Sequence, residues 1–414
     1  MFCGPDLFAQ QPGGYVSVGL DGLPNAPGGP IEMRARLFVD ERLAPYEHLV
    51  LRAAAALDAL GFREFVGSES ELAGAHAVEF VPYDLYAEIT GTRADLRVGY
   101  SRIVWGRLDE VQPTDVVNPL DLARFFFEGR SEARLAMPML RGRLFFGERA
   151  NVEAVVVPWF RRGRFDLLDE PSSPFNLETG PVTLLDASPD SGSLTAPVSR
   201  REPGTNWGNV QGGGRFSATI GRVDLATSFY RGFDAFGTYV PLPTAFVQVF
   251  QRYTMVGGDF ETARGKWALR GEVAHFSGEL DGLDAGVGFD RRAGEYHVSG
   301  TVLVHHEGAA ACVPQDPACR ATGPATDYTS TSLVAAADRT FARERYRTRT
   351  FAVYNATERA TFVRNITSME VRANVTLEGS IGWFFGSGTS QARRDVIGRF
   401  SDRDFLYARL RVHF

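Results

Sequence analysis

Apolar and polar residues alternate in twos along most of the chain, which is the pattern of β-strands with one oily and one wet face. At the end of the chain, Leu406, Ala408, Leu410, Val412 and Phe414 fall on one side, and Phe405, Tyr407, Arg409, Arg411 and His413 on the other. Near its start, Met33, Ala35, Leu37 and Val39 oppose Arg34, Arg36 and Asp40, and Leu49, Leu51, Ala53, Ala55 and Leu57 continue the apolar face. The Ala-rich stretch from Arg52 to Leu60 has helical propensity, but its neighbours are strands and it is assigned as one. A hairpin follows, with Val81, Tyr83, Leu85, Ala87 and Ile89 against Asp84, Tyr86 and Glu88, then Ala94, Leu96, Val98 and Tyr100 against Arg93, Asp95, Arg97 and Ser101. In the next, Leu135, Met137 and Met139 precede Val152, Ala154, Val156 and Phe160 on the outward face.

Further strands are expected at 215–220, 223–230, 246–256, 267–276, 285–290, 296–306 and 346–354, with one long strand within 362–385. The total is about sixteen. Residues 1–30 read as a Gly/Pro-rich segment with a possible first strand at Gly14 to Leu20, and 31–414 as one all-β unit. Short connections at 41–47, 91–93, 147–150, 221–222, 257–265 and 291–294 alternate with long ones at 58–76, 107–131, 164–213, 307–345 and 386–403. Sorting loops by parity is what a transmembrane antiparallel barrel does, with short periplasmic turns and long external loops. A soluble β-rich binding protein has no reason to sort its loops in this way.

Composition narrows the choice. No apolar run is long enough for a helical membrane span, whereas a barrel strand needs only about ten alternating residues. A net charge of -6 argues against a nucleic-acid partner. Lys266 is the single lysine, so the positive charge is almost all arginine. The opening residues, Met-Phe-Cys-Gly-Pro-Asp, have neither the basic nor the apolar region of an export signal, so the start is expected to be truncated or misassigned. Cys312 and Cys319 bracket a short proline-containing loop whose spacing suits a disulfide in an oxidising compartment better than a metal site. Trp105, Trp159, Phe160, Trp383, Phe384 and Phe385 lie at strand ends, where an interfacial girdle belongs.

The ending on Phe414 resembles the closing strand of bacterial outer-membrane β-barrels, whose terminal aromatic is read by the barrel-assembly machinery. A second stretch, Trp105-Gly-Arg-Leu-Asp-Glu-Val-Gln-Pro-Thr-Asp-Val-Val-Asn-Pro-Leu-Asp-Leu122, is similar to one found in a porin-like family of proteobacterial outer-membrane barrels of unknown function. The likeness runs from about Gly99 to Arg164 and returns at the C-terminus. It implies a single transmembrane antiparallel barrel in the outer membrane, in contact with lipid and lipopolysaccharide, taking part in uptake or export of organic compounds. Within it Asp115, Asn118, Pro119 and Asp121 read as turn and cap residues, Asp121 capping a short helix at Leu122 to Phe127. An ordered loop at the barrel mouth is the plainer expectation, and a loop folded inward to narrow the pore the sharper one.

Lumen candidates come from the polar faces: Arg34, Arg36, Arg93, Arg97, Arg270, Arg347, Arg349, Arg372, Arg409 and Arg411 against Asp84, Glu88, Asp95, Glu153, Asp224, Glu272 and Glu378. Arginine leads slightly, which favours small anionic or organic solutes. In the loop after Arg164, Asp166, Asp169 and Glu170 are placed to oppose Arg161, Arg162 and Arg164 across a constriction. Catalytic readings are thin. His297 and Ser299 share a face without a third orienting group, and His275, His305, His306 and Glu307 make no metal-ligand pattern. No catalytic residue, metal or cofactor is assigned. The expected function is a polar pore with passive or loop-gated passage, with a barrel enzyme, a plugged transporter for hydrophobic compounds and a soluble binding protein as the rivals.

Overall fold

The computed structural model describes residues 13–26, 29–66, 71–164, 198–241, 246–308, 327–386 and 396–414. Strands in chain order are β1 (Gly13–Gly22), β2 (Ile31–Tyr46), β3 (Leu49–Val66), β4 (Glu71–Thr90), β5 (Ala94–Ser101), β6 (Met137–Phe146) and β7 (Ala150–Val157). They continue as β8 (Val198–Arg201), β9 (Gln211–Ile220), β10 (Val223–Phe233), β11 (Thr238–Pro241), β12 (Phe246–Val249), β13 (Arg252–Arg264) and β14 (Trp267–Gly278). The last are β15 (Gly282–Ala293), β16 (Tyr296–Glu307), β17 (Tyr328–Phe341), β18 (Tyr346–Asn355), β19 (Ala360–Arg372), β20 (Val375–Phe385) and β21 (Phe405–His413). β8, β11 and β12 form a small separate sheet, and the rest make one 18-stranded sheet.

Each strand of that sheet pairs antiparallel with its neighbours, and β21 pairs back onto β1 from Tyr15↔His413 to Gly22↔Leu406. That pairing closes the barrel, so no backbone edge remains there to be satisfied in lipid. The turns at 47–48, 91–93, 147–149, 221–222, 265–266, 294–295, 342–345 and 373–374 all lie at one end. The connections from β5 to β6 and from β7 to β9 leave and rejoin the sheet at the other.

The alternation faces outward as an apolar coat. Val16, Val18 and Leu20, Leu140 and Leu144, and Leu406 and Leu410 are exposed on the outer surface. On the alternate positions of these and other strands, Ser17, Arg36, Glu153, Asp259 and Arg409 are buried toward the lumen. Exposed Phe146, Trp267 and Tyr296 mark the short-turn rim, and Trp159, Trp383 and Phe385 the long-loop rim. Trp105 and Phe384, expected in that girdle, are instead buried inside, and Phe160 packs on Phe233 and Phe250.

The strand count rises from sixteen to eighteen for two local reasons. The long strand within 362–385 is two strands, β19 and β20, reversed at 373–374. β17 lies inside what reads as the loop 307–345. The presumed loop 58–76 is largely strand as well, because the ladder between β3 and β4 runs on to Val66↔Glu71.

Two irregularities exchange faces. Register between β3 and β4 passes from Ala54↔Asp84 to Ala55↔Pro82, leaving Tyr83 as the extra residue of a bulge. Tyr83 and Asp84 are therefore both buried, and Tyr83 Oη accepts from Arg36 Nη1 at 2.6 Å. Tyr83, expected on the outward stripe with Val81, is in the lumen, while Val78 and Phe80 face outward. A second shift between Glu370 and Arg372 sets Arg372 opposite Val375, in register with the outward set at the short-turn rim. Leu135, Met137 and Met139 are likewise buried on the inner side, where a chain segment replaces water as their neighbour.

Candidate functional site

Between β5 and β6 the chain leaves the wall at Ser101, folds into the lumen and returns at Met137. Asn118 ties its neck: Oδ1 accepts from the Ile103 N–H at 2.9 Å, and Nδ2 donates to the carbonyls of Ser101 and Leu135 at 3.0 and 2.9 Å. The Pro119 carbonyl accepts from the Leu135 N–H. Asp115 gathers Arg130 at 2.7 Å and Arg134, and also accepts from the Trp105 N–H. Asp121 caps helix α1 (Leu122–Glu128) by accepting from the Arg124 N–H at 3.0 Å. The helix stops at Gly129, whose φ of 96° suits glycine and whose N–H returns to the carbonyls of Arg124 and Phe125. A further turn, α2 (Arg130–Ala133), leads back to the wall.

Contacts of this segment run around the barrel. Arg107 reaches Asp259 at 2.8 Å and Glu261 at 3.0 Å on β13, and Glu272 of β14 accepts from the backbone N–H groups of Arg107, Leu108 and Thr114. Asp109 meets Arg270 at 3.1 Å, and Glu110 meets Arg349 of β18 at 2.6 Å. Arg364 of β19 donates to the carbonyls of Phe125 and Phe126. Glu128 binds Arg409 of β21 at 2.6 Å, Arg124 binds Glu32 of β2, and Glu132 lies 3.7 Å from Arg36. A segment held by strands on opposite sides crosses the lumen, so the plainer expectation of a loop at the mouth gives way to the inward-folded one.

Two aromatic clusters fix it. Phe126 sits edge-on to Phe362 at 5.0 Å and Phe384 at 5.3 Å, and Phe127 to Phe405 at 4.8 Å. Trp105, 1% exposed, packs with Tyr230, Met137 and Met255, and donates from Nε1 to Glu153 at 2.7 Å. Burying a phenylalanine is worth roughly 1.5–3 kcal/mol, so the rings hold the segment as firmly as its ion pairs. Burial alone would raise the pKa of the Glu128 carboxyl, but Arg409, Arg124 and Arg34 outweigh it and hold the group well below the usual carboxylate range.

Space remains along the wall of β6, β7 and β9. A cavity of about 300 Å³ is lined by Arg102, Arg141, Arg143, Arg215, Glu153, Asn151 and Ser217, together with Ile103 to Trp105. A second, of about 370 Å³, shares Asn151 and Ser217 and continues to the turn at 147–149 past Arg107, Arg149, Glu148 and Asp224. Four arginines and one glutamate line the first cavity. Three of the carboxylates that pair with them, Asp84, Asp95 and Asp259, are not in its lining.

Most of the sequence-derived lumen candidates fall into three groups. Arg270, Arg349, Arg409, Arg411, Glu272 and Glu378 face the inward segment or one another, Glu378 binding Arg409 at 2.7 Å. Arg97 grips Glu88 at 3.0 Å, and Asp95 and Asp84 hold Arg143 and Arg102 beside the cavity. Arg93, Arg347 and Arg372 are exposed at the short-turn end, away from the narrow part. Arg102, Arg141, Arg143 and Arg215 escaped the sequence reading, although Arg141, Arg143 and Arg215 alternate with apolar residues on their strands as the chosen arginines do. Cys312, Cys319, Asp166, Asp169 and Glu170 lie outside the described residues. Among those described, no group of three His, Cys, Asp or Glu side chains is placed to hold a metal. His297 sits between Asp290 at 3.3 Å and Asp338 at 3.8 Å, and His305 lies by Asp284 at 2.6 Å.

Eighteen closed strands, an apolar outer coat, loops sorted by length and a polar, partly occupied lumen define an outer-membrane β-barrel of the porin-like class. The chain belongs to the family described as "Protein of unknown function (DUF1302)", whose model matches residues 79–289, from β4 to β15 with the whole inward segment. Among solved structures it is similar to Acinetobacter baumannii OccAB4, at 10% identity over 98% of each chain with a TM-score of 0.51. Pseudomonas aeruginosa OccK5 (OpdH) matches at 11% identity over 98% of each chain, TM-score 0.48. Wzi, an Escherichia coli outer-membrane protein involved in group 1 capsule assembly and described as a carbohydrate-binding β-barrel, matches at 11% identity over 98% of this chain and 85% of its own, TM-score 0.47. At such identities the likeness to OccAB4 concerns the fold alone. No curated protein matches the chain.

Proposed function

We propose that this barrel is a solute channel that passes small anionic organic molecules along the wall of β6, β7 and β9, while residues 102–136 fill the remainder of the lumen. The observation that carries this is the lining of the 300 Å³ cavity, with four arginines to one glutamate. Guanidinium groups offer forked donors to carboxylates and phosphates, and a ring of them sets the sign of the passing ion. Their own carboxylate partners hold the side chains in place. The second cavity leads the solute on to the short-turn rim. No group in this path is asked to do chemistry, so the reading is of transport rather than catalysis.

Lipid and lipopolysaccharide would cover the apolar coat under the same reading. Phe414, exposed beside Gly14 at the short-turn end, is the aromatic that barrel-assembly machinery would read.

The test is the reversal potential of refolded protein in a planar bilayer under a potassium chloride gradient. Wild type is expected to prefer chloride, and Arg143→Ala with Arg215→Ala to lower that preference. A cation-selective wild type, or selectivity indifferent to both substitutions, would refute the proposal. Insertion with no current at all would refute an open path along this wall.

A further inference from the structure

Around most of the barrel the outer surface is large aliphatic and aromatic side chains. On β18 and β19 it is not. Thr348 and Thr350 of β18 and Asn365 and Thr367 of β19 point outward side by side, Thr350 opposite Asn365 and Thr348 opposite Thr367. Asn365 Nδ2 donates to the hydroxyls of Thr348 and Thr350 at 3.1 and 2.9 Å, Thr367 Oγ1 donates to Asn365 Oδ1 at 3.0 Å, and the hydroxyls of Thr348 and Thr367 are 2.9 Å apart.

This network lies within the apolar band. Tyr354 of β18 and Trp383 of β20 stand toward the long-loop end, and the stacked pair of Tyr346 on β18 and Phe341 on β17 toward the short-turn end. Across the ladder Ala337 is opposite Thr350 and Gly379 opposite Thr367, while Ile381 is opposite Asn365 and Arg339 opposite Thr348. Arg339, on the same side of β17, is turned to Glu295 at 2.9 Å. The patch is therefore polar, and the one arginine at its edge is paired with Glu295.

Acyl chains neither donate nor accept hydrogen bonds, so polar side chains facing them are costly, whereas small and hydroxylated residues are what membrane-embedded protein contacts use. We infer that β17 to β20 form an interface with a second copy of this chain, related by a two-fold axis normal to the membrane. Self-complementarity favours that occupant. Thr and Asn each donate and accept, so the patch can meet its own copy without opposing like charges, as an isologous contact requires. Four strands spaced by about 4.8 Å, over a band about 25 Å tall, present on the order of 400–500 Å² of flat area. That is a little over half of the roughly 800 Å² per partner of a standard interface, and the rims can supply the rest.

The test uses the full chain in native membranes and in lipid nanodiscs. Thr350→Cys is expected to give an oxidised dimer well above the wild-type background, which carries Cys3, Cys312 and Cys319. Leu140→Cys on β6, across the barrel, is expected to give none. Native mass spectrometry is expected to show a dimer for wild type and at least a tenfold loss of dimer for Asn365→Leu with Thr350→Leu, with unchanged heat-modifiable migration confirming that the barrel folds. A monomeric wild type without Thr350→Cys cross-linking would overturn the inference, and so would a trimer, which breaks the two-fold arrangement.

Discussion

Glu128→Gln tests whether the inward segment is latched by charge. The Glu128 side chain is 2% exposed and holds Arg409 at 2.6 Å, Arg124 at 3.3 Å and Arg34 at 3.8 Å. Removing one partner of a buried ion pair costs about 3–5 kcal/mol because the charge left behind is uncompensated. Glutamine keeps the shape and one acceptor, so the low end, about 3 kcal/mol, applies to docking of α1. At about 1.4 kcal/mol per decade, the undocked population rises about a hundredfold. The phenylalanine rings still favour docking, so the variant remains mostly closed.

A rare population is best read by proteolysis, whose rate follows the fraction open when closing outpaces cleavage. Tryptic cleavage after Arg124, Arg130 or Arg134 is expected to quicken about a hundredfold in Glu128→Gln, with Glu148→Gln at an exposed turn as the unchanged control. Brief high-conductance events should rise in parallel. Adding Arg409→Gln should cost less than the sum of the two single changes, because the partners share one interaction. Cleavage within twofold or threefold of wild type would refute the latch.

Acid is expected to reach this latch late. With its folded pKa depressed, Glu128 contributes docking free energy that is fully present above the unfolded carboxylate value of about 4.3 and lost only as pH falls through the lower folded one. The difference in cleavage rate between wild type and Glu128→Gln should therefore persist from pH 7 to pH 5, and its disappearance in that range would count against the pairing. Asn118→Ala orphans the Ile103 N–H and the carbonyls of Ser101 and Leu135, at about 1–3 kcal/mol for each that stays buried, and faster hydrogen exchange at Ile103 would show it. Gly99→Ala sets a Cβ 2.2 Å from the Leu85 carbonyl at a φ of 133°, a strain of about 1–3 kcal/mol before the clash is counted. Reduced refolding yield by heat-modifiable migration is expected, with Gly142→Ala, which meets nothing within 4 Å, as the neutral comparison.

The barrel was legible because period-two alternation repeats over hundreds of residues and loop parity is independent of it. Errors came where a single residue changes the frame. Nothing in the order Val81-Pro82-Tyr83-Asp84 announces that Tyr83 is extra, because a bulge is decided by the partner strand. The reversal at 373–374 hides between Val371 and Val375, which continue one apolar stripe on paper. Asp121 reads as a cap from local chemistry alone, whereas the destination of α1 depends on Phe362, Phe384 and Phe405, more than two hundred residues away.

Counting arginines on inward faces overlooks that the inward segment carries its own carboxylates. Glu128 and Glu132 approach Arg409, Arg34, Arg36 and Arg411, and Glu110 meets Arg349, so much of the richest cationic wall is neutralised by chain rather than left for solute. Arg102, Arg141, Arg143 and Arg215 differ in that three of the carboxylates paired with them, Asp84, Asp95 and Asp259, are not among the residues lining the cavity. Opening the segment would then change selectivity as well as conductance. With α1 withdrawn, Arg34, Arg36, Arg409 and Arg411 lose Glu128 and Glu132 and face water, so the high-conductance events of Glu128→Gln should be more anion-selective than the closed level. Equal selectivity at both levels would show that the wall arginines are neutralised by their strand partners Asp58 and Glu378 alone.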